Sequence, residues 1–196
     1  MSDVETLRAF VALPLSDEMH QQLEGVQRQL QRNIPHRAVK WVSPEKIHLT
    51  LFFLGDIFAS RVDAIKEALA VGARNIPPTP ADVQELGVFP NPSRARVLWV
   101  GMHDPEEYLA LLHLAVNEAL DQLGYEPDRR PFHPHLTLGR VRRKTSRSEA
   151  RRIGEIVART EIGALGREMF NELVLFRSEL KPTGAEYTRL ATFRLG

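Results

Sequence analysis

The tetrapeptide His-Leu-Thr-Leu occurs twice in the sequence, at residues 48–51 and 135–138. Each copy lies in an apolar run whose alternation has period two, which predicts a β-strand. On a strand, the histidine and the threonine of one copy share a face and lie roughly 7 Å apart, while the two leucines point to the other face. Each copy therefore offers an imidazole and a hydroxyl side by side, backed by leucines that can enter a core.

Two facing histidines suit paired general acid and base catalysis near neutral pH, because the ordinary pKa of imidazole is about 6.5. His48 and His135 could divide the proton transfers, while the hydroxyls of Thr50 and Thr137 donate hydrogen bonds to an anion between them. This combination fits phosphoryl transfer at a phosphodiester. The alternative is a pair of half-buried structural strands, but two identical copies in strand context favour chemistry. Because the motifs are identical, the residues alone leave open which histidine donates the proton.

The composition is that of a soluble globular protein. The 196 residues are 43% hydrophobic and 26% charged, and the net charge of +1 argues against an extensive nucleic-acid surface while permitting a local basic patch. The absence of cysteine excludes thiol catalysis and disulfides. Residues 1–15 have neither the pattern of a signal peptide nor the length of a membrane span. We expect a cytoplasmic monomer without a membrane segment.

The predicted helices and strands follow the same order twice. The two motifs are 87 residues apart (135 − 48), and the same offset relates the predicted helix starts near 16 and 103 and near 60 and 147. Each half reads as helix, motif strand, helix, strand, strand, which indicates an internal duplication. We predict one bilobal α+β domain over residues 1–196, with repeat halves 14–102 and 103–196 and a strand at 7–13 that completes a sheet. Two like lobes that face each other would place both motif strands on one cleft.

Local signals place several element boundaries. Ser146 with Glu149 forms a capping box at the start of one helix. Asp104 followed by proline, with Glu107 three residues on, predicts that another helix begins directly at this point. Residues 169–180 are predicted to form one closing strand. A loop is predicted at 127–131 and a turn at 182–184.

The doubled motif resembles the two H-x-T-x signatures of the 2H phosphoesterase superfamily. The similarity is greatest to the bacterial and archaeal RNA 2′,3′-cyclic phosphodiesterases, also called 2′-5′ RNA ligases of the LigT/ThpR kind. The stretches that carry the resemblance cover nearly the whole chain: 46–56 (KIHLTLFFLGD), 94–102 (RARVLWVGM), 130–140 (RPFHPHLTLGR) and 184–195 (GAEYTRLATFRL). All four positions of the motifs match.

The resemblance implies a LigT-like fold of two pseudo-symmetric α/β lobes, whose antiparallel sheets face a central cleft. It implies metal-independent hydrolysis of RNA 2′,3′-cyclic phosphate ends to 2′-phosphomonoesters without a cofactor, and reversible 2′-5′ RNA ligation as a second activity. By match, His48 is the proton donor to the leaving 3′ oxygen, His135 is the proton acceptor from water, and Thr50 and Thr137 hold the phosphate. The partner would be an RNA or nucleotide with a 2′,3′-cyclic phosphate end. The alternative function is a non-catalytic nucleotide- or RNA-binding module that uses the same cleft.

Four further residues are candidates for substrate binding. Arg140 follows the second motif, but strict alternation places it on the face of the motif leucines unless a β-bulge intervenes. Phe52 shares the face of the first histidine under strict alternation and could stack on a base, with core packing as the alternative. Arg94 in a proline-bounded loop and Tyr187 near the C-terminus complete the set.

Two features near the second motif have alternative interpretations. His133 and His135 could bind a metal ion, but neither motif strand carries a carboxylate ligand, so we predict no metal site. A basic run could track an RNA backbone or could be a solvated loop and helix start. This run comprises Arg142, Arg143, Lys144, Arg147, Arg151 and Arg152.

Overall fold

The computed structural model describes residues 5–127, 130–182 and 184–196. The described residues form nine strands and four helices: β1 Thr6–Pro14, α1 Asp17–Gln31, β2 Val39–Trp41, β3 His48–Phe58, α2 Val62–Ala73, β4 Thr79–Phe89, β5 Val97–His103, α3 Tyr108–Asp121, β6 His135–Val141, α4 Arg147–Arg159, β7 Gly166–Phe170, β8 Glu172–Lys181 and β9 Gly184–Arg194. Both motifs therefore lie on strands, β3 and β6, as predicted. Among the helices of the described segments, none is long and apolar enough to cross a membrane.

The strands form one antiparallel sheet with the two motif strands at its centre. The order is β7-β4-β5-β6-β3-β1-β8-β9, and β2 pairs with β6. Within β3 and β6, which are both fully described, the pairing is limited to one opposed pair, Leu49 and Leu136. This pair joins two wings of the sheet. The first wing contains β3, β1, β8 and β9, and the second contains β2, β6, β5, β4 and β7.

The internal duplication predicted from the spacing is visible in the register of the two wings. Thr50 opposes Ala12 in the first wing, and Thr137 opposes Trp99 in the second. Ala12 and Trp99 are 87 residues apart, which is the same offset as between the motifs. However, the wings do not coincide with the halves of the sequence. The first wing joins β1 and β3 to β8 and β9 from the second half, and the second wing joins β4 and β5 to β6 and β7.

The leucines of the motifs form the centre of the hydrophobic core. Leu49 and Leu136 are at most 1% exposed, and they belong to one cluster with Leu23 of α1 and Leu112 of α3. Full burial of one leucine side chain contributes roughly 1.5–3 kcal/mol to stability. The leucine face of β3 and β6 therefore packs against helices, which leaves the histidine and threonine face as the surface available for chemistry.

A β-bulge follows each motif threonine. Leu51 in β3 is an extra residue relative to β1, and Leu138 in β6 is an extra residue relative to β5. Each bulge reverses the alternation of side chains beyond it. The two bulges are again 87 residues apart (138 − 51), so they belong to the duplicated unit.

A buried glutamine of α1 supports the bulge at Leu138. The Leu138 carbonyl accepts a hydrogen bond from the Val42 N–H at 2.9 Å and another from Nε2 of Gln27 at 2.9 Å. The same amide group of Gln27 donates to the Val42 carbonyl at 2.7 Å, and the residue is only 3% exposed. A helix from the first half of the chain thus fixes a bulge in the motif strand of the second half.

The boundaries of two elements differ from the predicted ones. Helix α3 begins at Tyr108 and not at Asp104, because Glu107 at the N-cap has a left-handed φ of 60°. The Asp104 carboxylate instead accepts hydrogen bonds from the N–H groups of Glu106 at 3.2 Å and Leu109 at 2.6 Å, so it organises a turn before the helix. The predicted capping box at Asp104 is therefore wrong. The predicted closing strand at 169–180 is divided at Asn171 into β7 and β8.

Other boundaries agree with the sequence. The capping box of Ser146 and Glu149 is confirmed at the start of α4. The predicted loop at 127–131 and the predicted turn at 182–184 include residues outside the described ranges.

The Gln27→Met variant should lower the free energy of unfolding by about 1–3 kcal/mol, because the buried carbonyls of Leu138 and Val42 each lose a donor. Urea denaturation measures the change. Gln22→Met is the matched control, since Gln22 lies on the exposed side of the same helix. Equal destabilisation by both substitutions would show that the bulge does not depend on Gln27.

Candidate active site

The single leucine pair between β3 and β6 fixes how the two motifs face each other. In an antiparallel ladder the neighbours of an opposed pair oppose each other in turn, so His48 lies across from Thr137 and Thr50 lies across from His135. All four side chains are half-buried and point away from the leucine face. The two histidines occupy one diagonal of this square.

Each motif histidine is oriented by the carbonyl two residues before it. Nδ1 of His48 lies 2.9 Å from the Lys46 carbonyl oxygen, and Nδ1 of His135 lies 2.7 Å from that of His133. A carbonyl oxygen only accepts, so Nδ1 carries the hydrogen in both rings. Nε2 then holds a lone pair in the neutral ring and a hydrogen in the charged ring. Each Nε2 can therefore act as a base or as an acid, depending on its protonation.

The two motif threonines have hydroxyls that are available to a ligand. Neither Thr50 nor Thr137 makes a side-chain hydrogen bond to another residue in the described part of the protein. A half-buried hydroxyl without a protein partner can donate to an oxygen anion placed beside it. The square thus contains two proton-transfer groups and two hydrogen-bond donors.

Aromatic rings surround His48. Its imidazole stacks on Phe10 with 4.8 Å between the ring centroids, meets Tyr187 edge-on at 5.3 Å, and lies 6.3 Å from Phe176. Burial lowers the pKa of His48 from 6.5 to about 4, and the hydrogen bond to the Lys46 carbonyl opposes this effect in part. In the free protein the His48 ring is therefore neutral at pH 7.

His135 has a different environment. The ring of Phe89 meets it edge-on at 4.9 Å, and Trp99 lies at 6.3 Å. Burial lowers the pKa of His135 too, the hydrogen bond to the His133 carbonyl opposes this, and the positive charge of Arg140 lowers the pKa further. Arg140 therefore favours the neutral form of His135.

The two bulges turn a different residue toward the site in each wing. In the first wing Phe53 opposes Phe10, which shares the face of Thr50. In the second wing Arg140 opposes Val97, which shares the face of Thr137. Strict alternation would place Arg140 on the leucine face unless a bulge intervened. The structure contains this bulge, so Arg140 lies on the histidine face.

The prediction that Phe52 shares the face of His48 is wrong, because the same kind of bulge displaces it. Phe52 is 6% exposed and packs in the core, whereas Phe53 is 67% exposed and lies 6.1 Å from Phe10. Alternation of residue types does not reveal a bulge in advance. We refer to Phe10, Phe53, Phe176 and Tyr187 together as the aromatic wall. Of these four residues, the sequence indicated only Tyr187.

Arg140 links the two wings electrostatically. Its charge lowers the pKa of His135 in the second wing, and it also opposes the effect of burial, which raises the pKa of Tyr187 in the first wing. Both predicted residues, Arg140 and Tyr187, therefore lie near the square. Arg94 is exposed in a short 3-10 turn, Pro92–Arg94, which packs on α4, and among the described contacts none joins it to either motif histidine.

The described residues contain no group of three or more His, Asp or Glu side chains arranged to hold a metal ion. His133 contributes its backbone carbonyl to the orientation of His135.

Sequence and structure comparisons both identify related proteins. The family model described as LigT like Phosphoesterase matches the chain twice, at residues 13–99 and 100–187. A Methanothermobacter thermautotrophicus protein named RNA 2′,3′-cyclic phosphodiesterase is 34% identical over 96% of this chain and 99% of its own length. An Aquifex aeolicus protein of the same name is 31% identical over 98% of this chain and 100% of its own length.

Solved structures agree with this relationship. A crystal structure of a Thermus thermophilus protein superposes with a TM-score of 0.79 and 28% identity, covering 96% of this chain and 98% of the other. The crystal structure of Escherichia coli LigT complexed with 3′-AMP has a TM-score of 0.75 and 26% identity, covering 97% of this chain and 99% of the other. These matches confirm the predicted bilobal α+β fold with antiparallel strands.

The His48→Gln variant should show a weaker pH dependence of stability than the wild type. A lowered pKa in the folded state means that the fold favours the neutral ring, so protonation of His48 lowers the free energy of unfolding. This contribution is present above the unfolded pKa near 6.5 and is lost as the pH falls toward 4. Between about pH 7 and pH 4.5, the wild type should lose roughly 2–3 kcal/mol more of its free energy of unfolding than the variant.

Urea unfolding at the two pH values measures this difference. His36→Gln, at an exposed histidine, is the control and should behave as the wild type. An identical pH dependence of the wild type and His48→Gln would contradict a lowered pKa at His48.

The Arg140→Gln variant should raise the pKa of His135, because it removes a positive charge that disfavours the imidazolium. Arg140→Lys, which keeps the charge, should leave this pKa closer to the wild-type value. An NMR titration of the His135 ring in the three proteins tests this. The same shift in both variants would show that the charge of Arg140 is not the cause.

Proposed function

The chain belongs to the LigT-like phosphoesterase family, and on this premise we propose that it hydrolyses RNA 2′,3′-cyclic phosphodiester ends to 2′-phosphomonoesters. The observation that carries the proposal is the square of two histidines and two threonines on one face of the sheet. Relatives of nearly equal length carry the name RNA 2′,3′-cyclic phosphodiesterase. The substrate is an RNA or nucleotide that ends in a 2′,3′-cyclic phosphate.

In the proposed reaction, Nε2 of His135 takes a proton from a water molecule as the water oxygen bonds to phosphorus. The bond between phosphorus and the 3′ oxygen breaks, and Nε2 of His48 gives its proton to that oxygen. The phosphate stays on the 2′ oxygen, and the two histidines end with their protonation states exchanged. Thr50 and Thr137 donate hydrogen bonds to the non-bridging oxygens, which carry the developing charge.

Bound substrate changes the electrostatic environment of both rings. In the free protein burial disfavours the charged form of both rings. A phosphodiester anion between the rings favours protonation of each. Burial and nearby positive charge disfavour the imidazolium at both rings, with the pKa of His48 lowered to about 4 and that of His135 lowered in part by Arg140. We assign the acid role to His48 and the base role to His135 by the match to the family's two motifs.

The aromatic wall and Arg140 have separate roles in this proposal. Phe53 is 67% exposed beside Phe10, so it offers a surface on which the terminal base can stack, independent of its identity. Arg140 lies on the opposite wing and adds positive charge near the phosphate. The same four central groups also serve 2′-5′ ligation, in which the 5′ hydroxyl of a second RNA replaces water as the nucleophile and the 3′ oxygen again leaves. No adenylated intermediate is needed, because the cyclic phosphate supplies the energy of the new bond.

His48→Ala and His135→Ala should each lower kcat for a 2′,3′-cyclic-ended oligoribonucleotide by about 10²–10⁴-fold, the usual contribution of a general acid or base. Turnover is measured in excess EDTA, and the position of the phosphate in the product is read by NMR. His36→Ala is the control at an exposed histidine and should keep wild-type turnover. The wild-type rate should be bell-shaped in pH, since one ring must be charged and the other neutral.

Wild-type rates in both motif variants would end this proposal. Tight binding of a 2′-phosphorylated nucleotide without turnover by the wild type would instead support the alternative, a non-catalytic binding module.

A further inference from the structure

The segments that follow the two motifs at the same sequence offset have opposite charges. The segment 140–147, which leaves the second motif strand, carries five basic residues and no acidic one. The equivalent segment 53–60 of the first wing, offset by 87 residues, carries one acidic residue, Asp56, and no basic one. The register of the two wings agrees as far as Phe53 and Arg140; beyond them β3 continues to Phe58, whereas β6 ends at Val141 and leads into a turn. The positive charges of the second segment are therefore concentrated on this turn.

The basic segment continues outward from the active-site face. Lys40 of β2 lies directly opposite Arg140 of β6, so the two cations share the face of Thr137 and are both exposed. Beyond them, the Arg142 N–H and the Thr145 hydroxyl both donate to the Ala38 carbonyl, at 2.8 and 3.1 Å. These bonds fix the turn that carries the next charges. We name Lys40, Arg140, Arg142, Arg143, Lys144 and Arg147 the basic ridge.

The charges of the basic ridge are not neutralised within the protein. In the described residues, no member of the ridge forms an ion pair with a carboxylate, and all six are exposed. The nearby Glu149 is engaged in the capping box with Ser146. Two arginines of the first wing differ in this respect, because they are paired: Arg177 contacts Glu179 at 3.1 Å and Arg189 contacts Glu172 at 2.6 Å.

We propose that the basic ridge binds the phosphates of an RNA chain on the 5′ side of the cyclic phosphate, so that the protein prefers oligoribonucleotides to mononucleotides. The inference rests on the proposed function, since it assumes that the cyclic phosphate occupies the square. A 2′,3′-cyclic phosphate ends the chain, so any further nucleotides lie on its 5′ side and carry one phosphate each. A row of unpaired cations that begins at the catalytic face provides binding for these phosphates without reading sequence.

The test compares two substrates, 2′,3′-cyclic AMP and an oligoribonucleotide of about ten nucleotides with a 2′,3′-cyclic phosphate end. For the wild type, kcat/KM for the oligoribonucleotide should exceed that for the mononucleotide. It should also fall with salt, with a logarithmic slope of about −0.7 for each phosphate contacted. The mononucleotide should show a much smaller salt dependence. Equal kcat/KM values and equal salt slopes for both substrates would overturn the proposal.

The Arg143→Glu/Lys144→Glu double variant changes two exposed turn residues outside the square. It should lower kcat/KM for the oligoribonucleotide at low salt by at least about 10-fold and make the salt slope shallower by about 1.4, the loss of two contacts. The kcat/KM for 2′,3′-cyclic AMP should stay near that of the wild type. Arg32→Glu/Arg74→Glu is the matched control, because it changes the net charge equally at exposed ends of α1 and α2. The control should retain the wild-type preference, and an equal loss in both double variants would overturn the proposal.

A parallel binding measurement separates this proposal from the proposed function. Fluorescence anisotropy reports the affinity of each protein for a 2′-phosphorylated oligoribonucleotide of the same length. If the wild type binds it and the ridge variant binds at least about 10-fold more weakly, the ridge is supported even if the wild type turns over neither substrate. Unchanged affinity in the ridge variant would reject the ridge, whether or not the protein is an active phosphodiesterase.

Discussion

One opposed pair of leucines at the centre of the sheet determines the geometry of the site. Because Leu49 and Leu136 face each other across antiparallel strands, each motif histidine stands beside the threonine of the other motif. The near-complete burial of these leucines decides which face carries the polar side chains. A slip of one residue in either strand would bury an imidazole and a hydroxyl and expose two leucines. Hydrophobic burial therefore holds the register on which the chemistry depends.

The proposed reaction needs an asymmetry that the duplicated backbone does not supply. Both rings donate Nδ1–H to the carbonyl two residues upstream, so Nε2 is the proton-transfer atom in both. The side chains delivered by the two bulges differ, with phenylalanine in one wing and arginine in the other. The same bulge thus occurs in both wings, and the residue that follows it distinguishes the two sides. The two sides of the site therefore differ in charge, although the backbones that carry them are alike.

The sequence predicted the elements that carry a strong local signal. Both motif strands and the capping box at Ser146 follow from alternation and from side-chain hydrogen bonding, which are local effects. The face of Phe52 could not be predicted, because the bulge before it depends on pairing with β1. The sequence also did not reveal that each wing combines strands from both halves of the chain. Spacing shows that two units are alike but does not show which strands pair, since pairing is decided by burial over the whole chain.

The orientation of the two imidazoles also bears on how the proposed site could serve both hydrolysis and ligation. With Nδ1 fixed as a donor in both rings, the proposed hydrolysis changes only which Nε2 carries the proton. In the proposed scheme ligation begins from the same protonation state as hydrolysis, because a ribose hydroxyl takes the place of water beside His135 and the 3′ oxygen leaves toward His48 in both reactions. The two proposed activities then differ in the nucleophile and share one catalytic site.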